Sequence, residues 1–391
     1  MIRFTFLTKP NAPNAKMILI VRIFVFMMMI SIAARLHPYS HTPGTVVLLP
    51  GSSLQLEIFP TLIRVADLSS STPKPLGEIA ISLRGPVKDF TVEQNLERGF
   101  IHVWGHAAQG YMRYKIVPCN DISCENKKSI AIYVEKSFKE IAFEGPFPVL
   151  FSPLFSSPHA LPQSASSKER LSLGSHKAQD WDMISRRMDM RDILPCWLRL
   201  GQMIPGVVSA SSIKGGTLDL LEACQEAVLS GYPERIIPTF NRTFQAGFEG
   251  LLSPRLVDVQ HQGLVLTAPH AGSTPLRLLS EGALLIRSLF IKAEDGRISI
   301  LPAVPPELPC GRFLEVSCGK LGSASLEWTK KKVRRLIFTS AASGKLHFDF
   351  QSHIKGARLR LGTKDQGREV HSGELLDFEA GQKCFFDNFR Q

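Results

Sequence analysis

One short stretch of the sequence, residues 248–263, gathers side chains that could perform acid–base chemistry. It is predicted to leave a helix near Gly250, to turn at the Ser-Pro pair of residues 253–254 and to continue as a loop. Loops held by rigid elements are frequent places for catalytic and binding residues. The candidate site residues of this stretch are Glu249, Arg255, Asp258, His261 and Gln262.

The hydrolysis of a glycosidic bond with inversion requires two carboxyl groups that flank the scissile bond. One carboxyl acts as the acid and the other activates water, at a separation of about 6.5–9.5 Å. Glu249 and Asp258 are the candidate catalytic pair, and Arg255, His261 and Gln262 are candidates for binding sugar hydroxyls. The structural alternative is that Asp258 pairs with Arg255 and that Glu249 is a solvated helix residue.

A second polar patch lies where the central helices are predicted to begin, in residues 170–181. His176, Asp180 and Trp181 are its candidate substrate-binding residues, because the face of a tryptophan often stacks on a sugar ring. The alternative is again structural. In that case Ser175 caps a helix and Trp181 packs in the core.

The sequence has no phosphate-binding loop, no nucleophile elbow and no zinc-protease motif, so we expect neither a cofactor nor a metal. Two cysteine pairs, Cys119 with Cys124 and Cys310 with Cys318, could form local disulfides in an oxidising compartment. Neither pair has the spacing of a zinc ligand set. Buried free thiols are the alternative, and they are favoured for Cys196 and Cys224.

The net charge of +11 is spread along the chain and has one dense run, Lys330–Arg335. A nucleic-acid-binding protein would concentrate such charge on one face and interleave it with aromatic residues. We therefore expect no nucleic-acid partner. The run is predicted to be a solvated hairpin tip, and weak attraction to an anionic membrane surface is the alternative.

The first 38 residues resemble a secretory signal peptide or an N-terminal anchor. Basic residues precede an apolar run from Met17 to Ala34, and the run ends in small residues. This order predicts an exported or envelope-associated protein with possible starts at Met1 or Met17, and association with a membrane through the N-terminus. The alternative is a buried strand of the first domain in a cytoplasmic protein.

The periodicity of the remaining sequence predicts a multidomain α+β protein. Residues 39–150 alternate with a period of two and predict an N-terminal β-sandwich, and residues 151–168 form a Ser/Pro-rich linker. Residues 169–293 change to a helical period and predict a short helical domain. Residues 294–391 alternate again and predict a C-terminal antiparallel β-sandwich.

Four segments of the central region carry helical signals. The first spans residues 180–202, with a kink or break at Pro195, and the second spans residues 217–230. A third carries apolar residues at positions 240, 244, 248 and 252, a spacing that predicts a core face. The fourth spans residues 275–291.

The C-terminal module resembles that of (α/α)-barrel glycoside hydrolases, in particular the α-L-fucosidase-like family 95 and its maltose-phosphorylase-like relatives. The resemblance covers about a quarter of the chain. The matching segments are Asp295–Ile298, Leu301–Pro305, Pro309–Gly311, Leu326–Trp328 and Arg358–Arg360. It implies an N-terminal β-sandwich, a helical barrel and an inverting glycoside hydrolase with carbohydrate as its partner.

The central region is too short for the barrel that the resemblance implies. Twelve helices need on the order of 300 residues, whereas residues 168–292 number 125. Two hypotheses follow. The chain is a glycoside-hydrolase-like protein that acts on or binds carbohydrate, with catalysis retained or lost. Alternatively, it is a non-catalytic glycan-binding or envelope-associated structural and interaction protein.

Overall fold

The structure is a computed structural model. It describes residues 29–119, 128–137, 141–153, 168–175, 177–204, 215–258, 266–362 and 365–391. Within these ranges the chain is a multidomain α+β protein with two β-sandwich-like domains and a set of helices between them, which confirms the predicted fold class.

The N-terminal domain consists of two sheets that enclose one core. Its strands are β1 (Tyr39–Ser40), β2 (Thr45–Leu48), β3 (Leu54–Ile58), β4 (Leu62–Asp67), β5 (Lys74–Ile81), β6 (Lys88–Asn95), β7 (Phe100–Ala107), β8 (Gly110–Pro118), β9 (Ile130–Lys136), β10 (Phe143–Glu144) and β11 (Val149–Pro153). One sheet has the order β1-β6-β7-β8-β9-β11 and the other β10-β5-β4-β3-β2.

Alternation along β8 shows how the sequence builds this core. Met112, Tyr114 and Ile116 are buried, whereas Arg113 and Lys115 lie on the opposite face. The Tyr114 ring packs edge-on against Phe143 of the facing sheet, with the ring centroids 5.1 Å apart. The period-two pattern therefore gives the buried face of the sandwich directly.

The segment that precedes β1 packs against the folded domains. The Ile30 side chain is buried, and the carbonyl of Ala34 accepts a hydrogen bond from Arg170 Nη2 at 3.0 Å. Residues 1–28, which hold most of the predicted leader, lie outside the described residues. Among the residues that the structure describes, no helix is long and apolar enough to cross a membrane.

The helical region holds five α-helices in its described residues. They are α1 (Trp181–Arg187), α2 (Met190–Gly201), α3 (Leu218–Leu229), α4 (Ile236–Gly247) and α5 (Leu276–Phe290). A short 3-10 helix, Pro233–Arg235, precedes α4, and a two-stranded hairpin, β13 (Phe248–Glu249) with β14 (Ser253–Pro254), follows it.

The first predicted helix breaks at a different place from the one expected. Pro195 lies inside α2, and the break falls at Met188 and Asp189. Met188 adopts a left-handed conformation with φ of 53° and ends α1. The Asp189 side chain accepts from the Arg191 amide and starts α2. A capping aspartate, rather than the proline, decides the boundary.

The apolar stripe predicted to face the core is buried at all four positions, Phe240, Phe244, Phe248 and Leu252. The predicted helix is shorter than expected, because α4 ends at Gly247 and the last two of these residues lie in the hairpin. Trp197 of α2 packs edge-on against Phe240 and Phe248, and its Nε1 donates to the Leu278 carbonyl at 2.9 Å.

The C-terminal domain also consists of two sheets. Its strands are β12 (Arg170–Ser172), β15 (Ile291–Glu294), β16 (Arg297–Ile300), β17 (Gly311–Ser317), β18 (Gly322–Thr329), β19 (Lys332–Ser340), β20 (Gly344–Asp349), β21 (Gly356–Arg360), β22 (Arg368–His371), β23 (Leu375–Phe378) and β24 (Lys383–Arg390). The sheet orders are β12-β17-β18-β19-β24-β21-β22 and β15-β16-β20-β23. Phe348 contacts Phe338 and Phe386 across the interface between the sheets.

Three boundaries differ from those expected. Strand β11 extends three residues into the predicted linker, because it pairs in parallel with β9. Strand β12 precedes the helices in sequence but pairs with β17, so it belongs to the C-terminal sheet rather than to the helical region. Strand β15 begins at Ile291, three residues before the expected start of the last domain. Residues 154–167 of the predicted linker lie outside the described residues.

The basic run forms the predicted hairpin tip, since Lys330 and Lys331 connect β18 to β19 with φ values of 52° and 61°. The possible disulfide between Cys310 and Cys318 is not formed. The seven residues of β17 separate these two thiols, and at about 3.3 Å per residue they lie far beyond disulfide range. Cys119 is a free thiol, and Cys124 lies outside the described residues.

Candidate functional site

A groove of about 460 Å³ lies between α1, the end of α4 and the β13–β14 hairpin. It brings together one residue from each of the two predicted patches, Trp181 and Glu249. The residues that line it are Trp181, Asp182, Ser185, Arg186, Met188, Phe244, Gln245, Phe248, Glu249 and Gly250.

Helix α1 forms one wall of the groove and begins at Asp180. The Asp180 carboxylate accepts a hydrogen bond from the Met183 amide at 3.1 Å. This residue, predicted to bind sugar, therefore caps the helix. Ser175, which the structural alternative gave as the cap, lies five residues too early. Trp181 is 2% exposed and packs edge-on against Phe244, with the ring centroids 6.0 Å apart. The expectation of a stacking face at Trp181 is therefore wrong, and its ring supports the floor of the groove.

The hairpin that carries Glu249 has its turn at residues 250–252, earlier than the predicted turn at residues 253–254. Gly250 and Leu252 both have positive φ values, 49° and 55°. A Cβ atom on Gly250 would lie 2.2 Å from the Val46 carbonyl oxygen, and the Leu251 amide donates to that same oxygen at 2.7 Å. The turn is thus fixed by close contact with β2 of the N-terminal domain.

Glu249 is the predicted catalytic carboxylate that reaches the groove. Its side chain is 29% exposed. Its Oε1 accepts from Gln55 Nε2 at 2.8 Å, and its Oε2 lies 3.8 Å from Arg255 Nη1. The first contact is a hydrogen bond, and the second is an ion pair at the longer end of the usual range.

Asp258 and Arg255 are buried beneath the hairpin, with side-chain exposures of 4% and 6%. Arg255 Nη2 lies 3.3 Å from Asp258 Oδ1, and Arg255 Nε donates to the Ala246 carbonyl at 2.9 Å. The Arg255 carbonyl in turn accepts from the Thr217 hydroxyl at 2.6 Å. One guanidinium therefore contacts both predicted catalytic carboxylates, and only Glu249 lines the groove.

Several groove residues were not predicted from the sequence. Asp182 and Arg186 lie four residues apart on α1, a spacing that places them on one helix face. Asp182 Oδ2 accepts from the hydroxyls of Ser40 and Thr42, at 3.2 and 3.0 Å. Gln245 is exposed at the end of α4. The helical period could have revealed that Asp182 and Arg186 share a face. No local signal connects that face, or Gln245, to Glu249.

Three predicted site residues, His176, His261 and Gln262, lie outside the described residues. Within the described ranges, no group of three or more His, Cys, Asp or Glu side chains is arranged to hold a metal ion. The chemistry that the groove offers is hydrogen bonding. Carboxylates, an amide, a hydroxyl and a guanidinium surround an aromatic floor.

Comparison of the sequence with protein-family models and with curated proteins gives no match.

Proposed function

We propose that this protein binds a glycan in the groove between α1 and the hairpin and does not hydrolyse it. The proposal keeps the carbohydrate partner that the resemblance of the C-terminal module implies. It gives the helical region a binding role instead of a catalytic one. Export or anchoring through the first 38 residues remains a separate prediction.

The observation that carries the proposal is the shared contact of Glu249 and Asp258 with Arg255. An inverting hydrolase needs both carboxyl groups to face the scissile bond, with a water molecule between one of them and the sugar. Asp258 is buried and paired, so it is not placed to activate such a water. Glu249 alone can contact a ligand in the groove.

The composition of the groove suits a hydroxyl-rich ligand. Hydroxyl groups donate to carboxylates in short, charge-assisted hydrogen bonds, and Glu249 and Asp182 offer such acceptors. Arg186 and Gln245 can donate to hydroxyl oxygens. Two carboxylates against one guanidinium make the wall unfavourable for an acidic sugar, so we expect neutral saccharides to bind better than uronic acids.

The test is calorimetric titration of the full chain with neutral oligosaccharides, namely maltotriose, fucosyllactose, cellotriose and xylotriose. At least one should bind, and Glu249→Gln should weaken it by about 10- to 100-fold, because a hydrogen bond to a charged group contributes about 1.5–3 kcal/mol. Glu307→Gln, an exposed substitution away from the groove, is the matched control.

Two outcomes would overturn the proposal. One is the absence of binding by every neutral saccharide. The other is release of reducing sugar from aryl glycosides that is lost in both Glu249→Gln and Asp258→Asn, because that result would establish the hydrolase.

A further inference from the structure

A side chain of the N-terminal sandwich contacts the carboxylate of Glu249, although it lies 194 residues earlier in the chain. Gln55 lies on β3 and is 9% exposed. Its Nε2 donates to Glu249 Oε1 at 2.8 Å and to the Ser253 hydroxyl at 3.0 Å. One amide group therefore spans the two strands of the hairpin.

This contact restrains the Glu249 carboxylate and leaves one of its two oxygens for a ligand. Oε1 is engaged by Gln55, whereas Oε2 lies 3.8 Å from Arg255, beyond hydrogen-bond distance. A carboxylate oxygen has two lone pairs, so Oε2 can accept from a hydroxyl in the groove. The two oxygens of a carboxylate are chemically equivalent, so what the contact fixes is the plane of the group. Without the amide, that plane could rotate about the last side-chain bond of Glu249.

The hairpin has a second attachment to the same domain. The Leu251 amide donates to the Val46 carbonyl on β2, and Gly250 packs directly against that carbonyl. The backbone contact fixes the position of the hairpin, and Gln55 fixes the orientation of its carboxylate. The two contacts make separate contributions, so the second can be removed while the first is kept.

We propose that Gln55 is a positioning residue for glycan binding, which orients Glu249 from the neighbouring domain without contacting the ligand. This inference rests on the proposed function. It makes the affinity of the groove depend on the contact between the N-terminal sandwich and the helical region.

Gln55→Leu tests the inference, with Gln94→Leu as its matched control. Gln94 is also a buried glutamine of the N-terminal sandwich, and its Nε2 donates to the Leu48 carbonyl at 2.7 Å. Both variants lose a buried amide, but only the first loses contact with Glu249. With maltotriose or fucosyllactose as the probe, Gln55→Leu should weaken binding about tenfold, whereas Gln94→Leu should lower the melting temperature without changing the affinity.

Gln55→Glu provides a readout that a purely structural role would not change. It places two carboxyl groups about 2.8 Å apart, the distance of the native contact, and such a pair retains one proton to an unusually high pH. The shared proton restores the hydrogen bond at pH 5, and its loss leaves two repelling charges at pH 8. The affinity of this variant should therefore fall as the pH rises, while the native affinity changes much less.

The outcomes separate the two claims. If the native chain binds no neutral probe, the proposed function fails and this inference fails with it. If the native chain binds but Gln55→Leu and Gln94→Leu have equal affinities, or Gln55→Glu shows the native pH profile, the positioning role is excluded and glycan binding stands.

Discussion

The Nη2 atom of Arg255 lies 3.3 Å from Oδ1 of Asp258, and both side chains are buried. Arg255 directly follows the hairpin that carries Glu249. Burying charged groups is costly, and their attraction offsets that cost only while both partners are present. The pair therefore holds the site together but contributes little net stability compared with an apolar packing.

Replacing Arg255 with methionine should destabilise the protein by about 3–5 kcal/mol, because it leaves Asp258 charged, buried and without this partner. Urea denaturation measures the change. Arg242→Met, at an exposed position on α4, is the matched control and should change the free energy of unfolding by less than about 0.5 kcal/mol. Equal stability of the two variants would contradict the structural role of Arg255.

A second buried carboxylate, Glu169, connects the helices to the C-terminal sandwich. Its side chain is 1% exposed. It accepts from Arg287 Nη2 at 2.9 Å, from Gln202 Nε2 at 2.6 Å and from the Ser317 amide at 2.8 Å. Glu169→Ala should destabilise the chain by about 3–5 kcal/mol, because Arg287 loses its buried partner.

The same urea measurement tests this prediction. Glu226→Ala on the exposed face of α3 is the control. A Glu169→Ala protein that unfolds at the same urea concentration as the control would show that the joint between the two domains does not depend on this carboxylate.

The acid stability of the N-terminal sandwich should depend on Glu93. Burial alone would raise the pKa of Glu93, but hydrogen bonds from His102 and His37 outweigh it and lower the pKa to about 2. The contact with His102 is 3.3 Å long. Because the folded pKa is below the unfolded one, this stabilisation is present above pH 4.5 and is lost as the pH falls toward 2.

The lowered pKa of Glu93 corresponds to stabilisation on the order of 3 kcal/mol above pH 4.5. Glu93→Gln should therefore lower the free energy of unfolding at pH 7 and flatten its dependence on pH between 4.5 and 2. Denaturation curves across that range, with the exposed Glu307→Gln as the control, measure the slope. If the free energy of unfolding of Glu93→Gln depended on pH as that of the native chain does, this role of Glu93 would be excluded.

The segment before β1 allows a prediction about N-terminal processing. The Ile30 side chain is buried, and the carbonyls of Ser31 and Ala34 accept from Arg312 Nη1 and Arg170 Nη2. A chain that starts at Arg35 should be about 2 kcal/mol less stable than one that starts at Met29, mainly because the burial of Ile30 is lost. Equal denaturation midpoints for the two purified chains would contradict it.

Much of the fold was predictable because its signals are local. The alternation of Leu346, Phe348 and Phe350 gives one face of β20 and the residue after it, and the Phe240–Phe248 spacing gives the core face of α4 and β13. What the sequence could not show is pairing between distant segments. Strand β12 joins the C-terminal sheet through Leu171 opposite Phe313, and nothing in its three residues specifies that partner.

The candidate site shows the same difference between local signals and contacts of distant segments. Glu249, Arg255 and Asp258 lie within ten residues of one another, so their proximity could be predicted from the sequence. The burial of Arg255 and Asp258 could not, because it depends on the packing of distant segments, such as Thr217 against the Arg255 carbonyl. Gln55 could not be predicted at all, since it reaches Glu249 from another domain.

A single proton NMR experiment can test whether the Glu249 groove binds a glycan without hydrolysing it. The full chain is incubated with each neutral oligosaccharide of the panel, and saturation transfer and the anomeric signals are followed for a day. We expect saturation transfer to the ring protons of at least one saccharide, weakened in Glu249→Gln, with no new reducing-end signal. A new reducing-end signal that depends on Glu249, or the absence of transfer to every saccharide, would contradict this expectation.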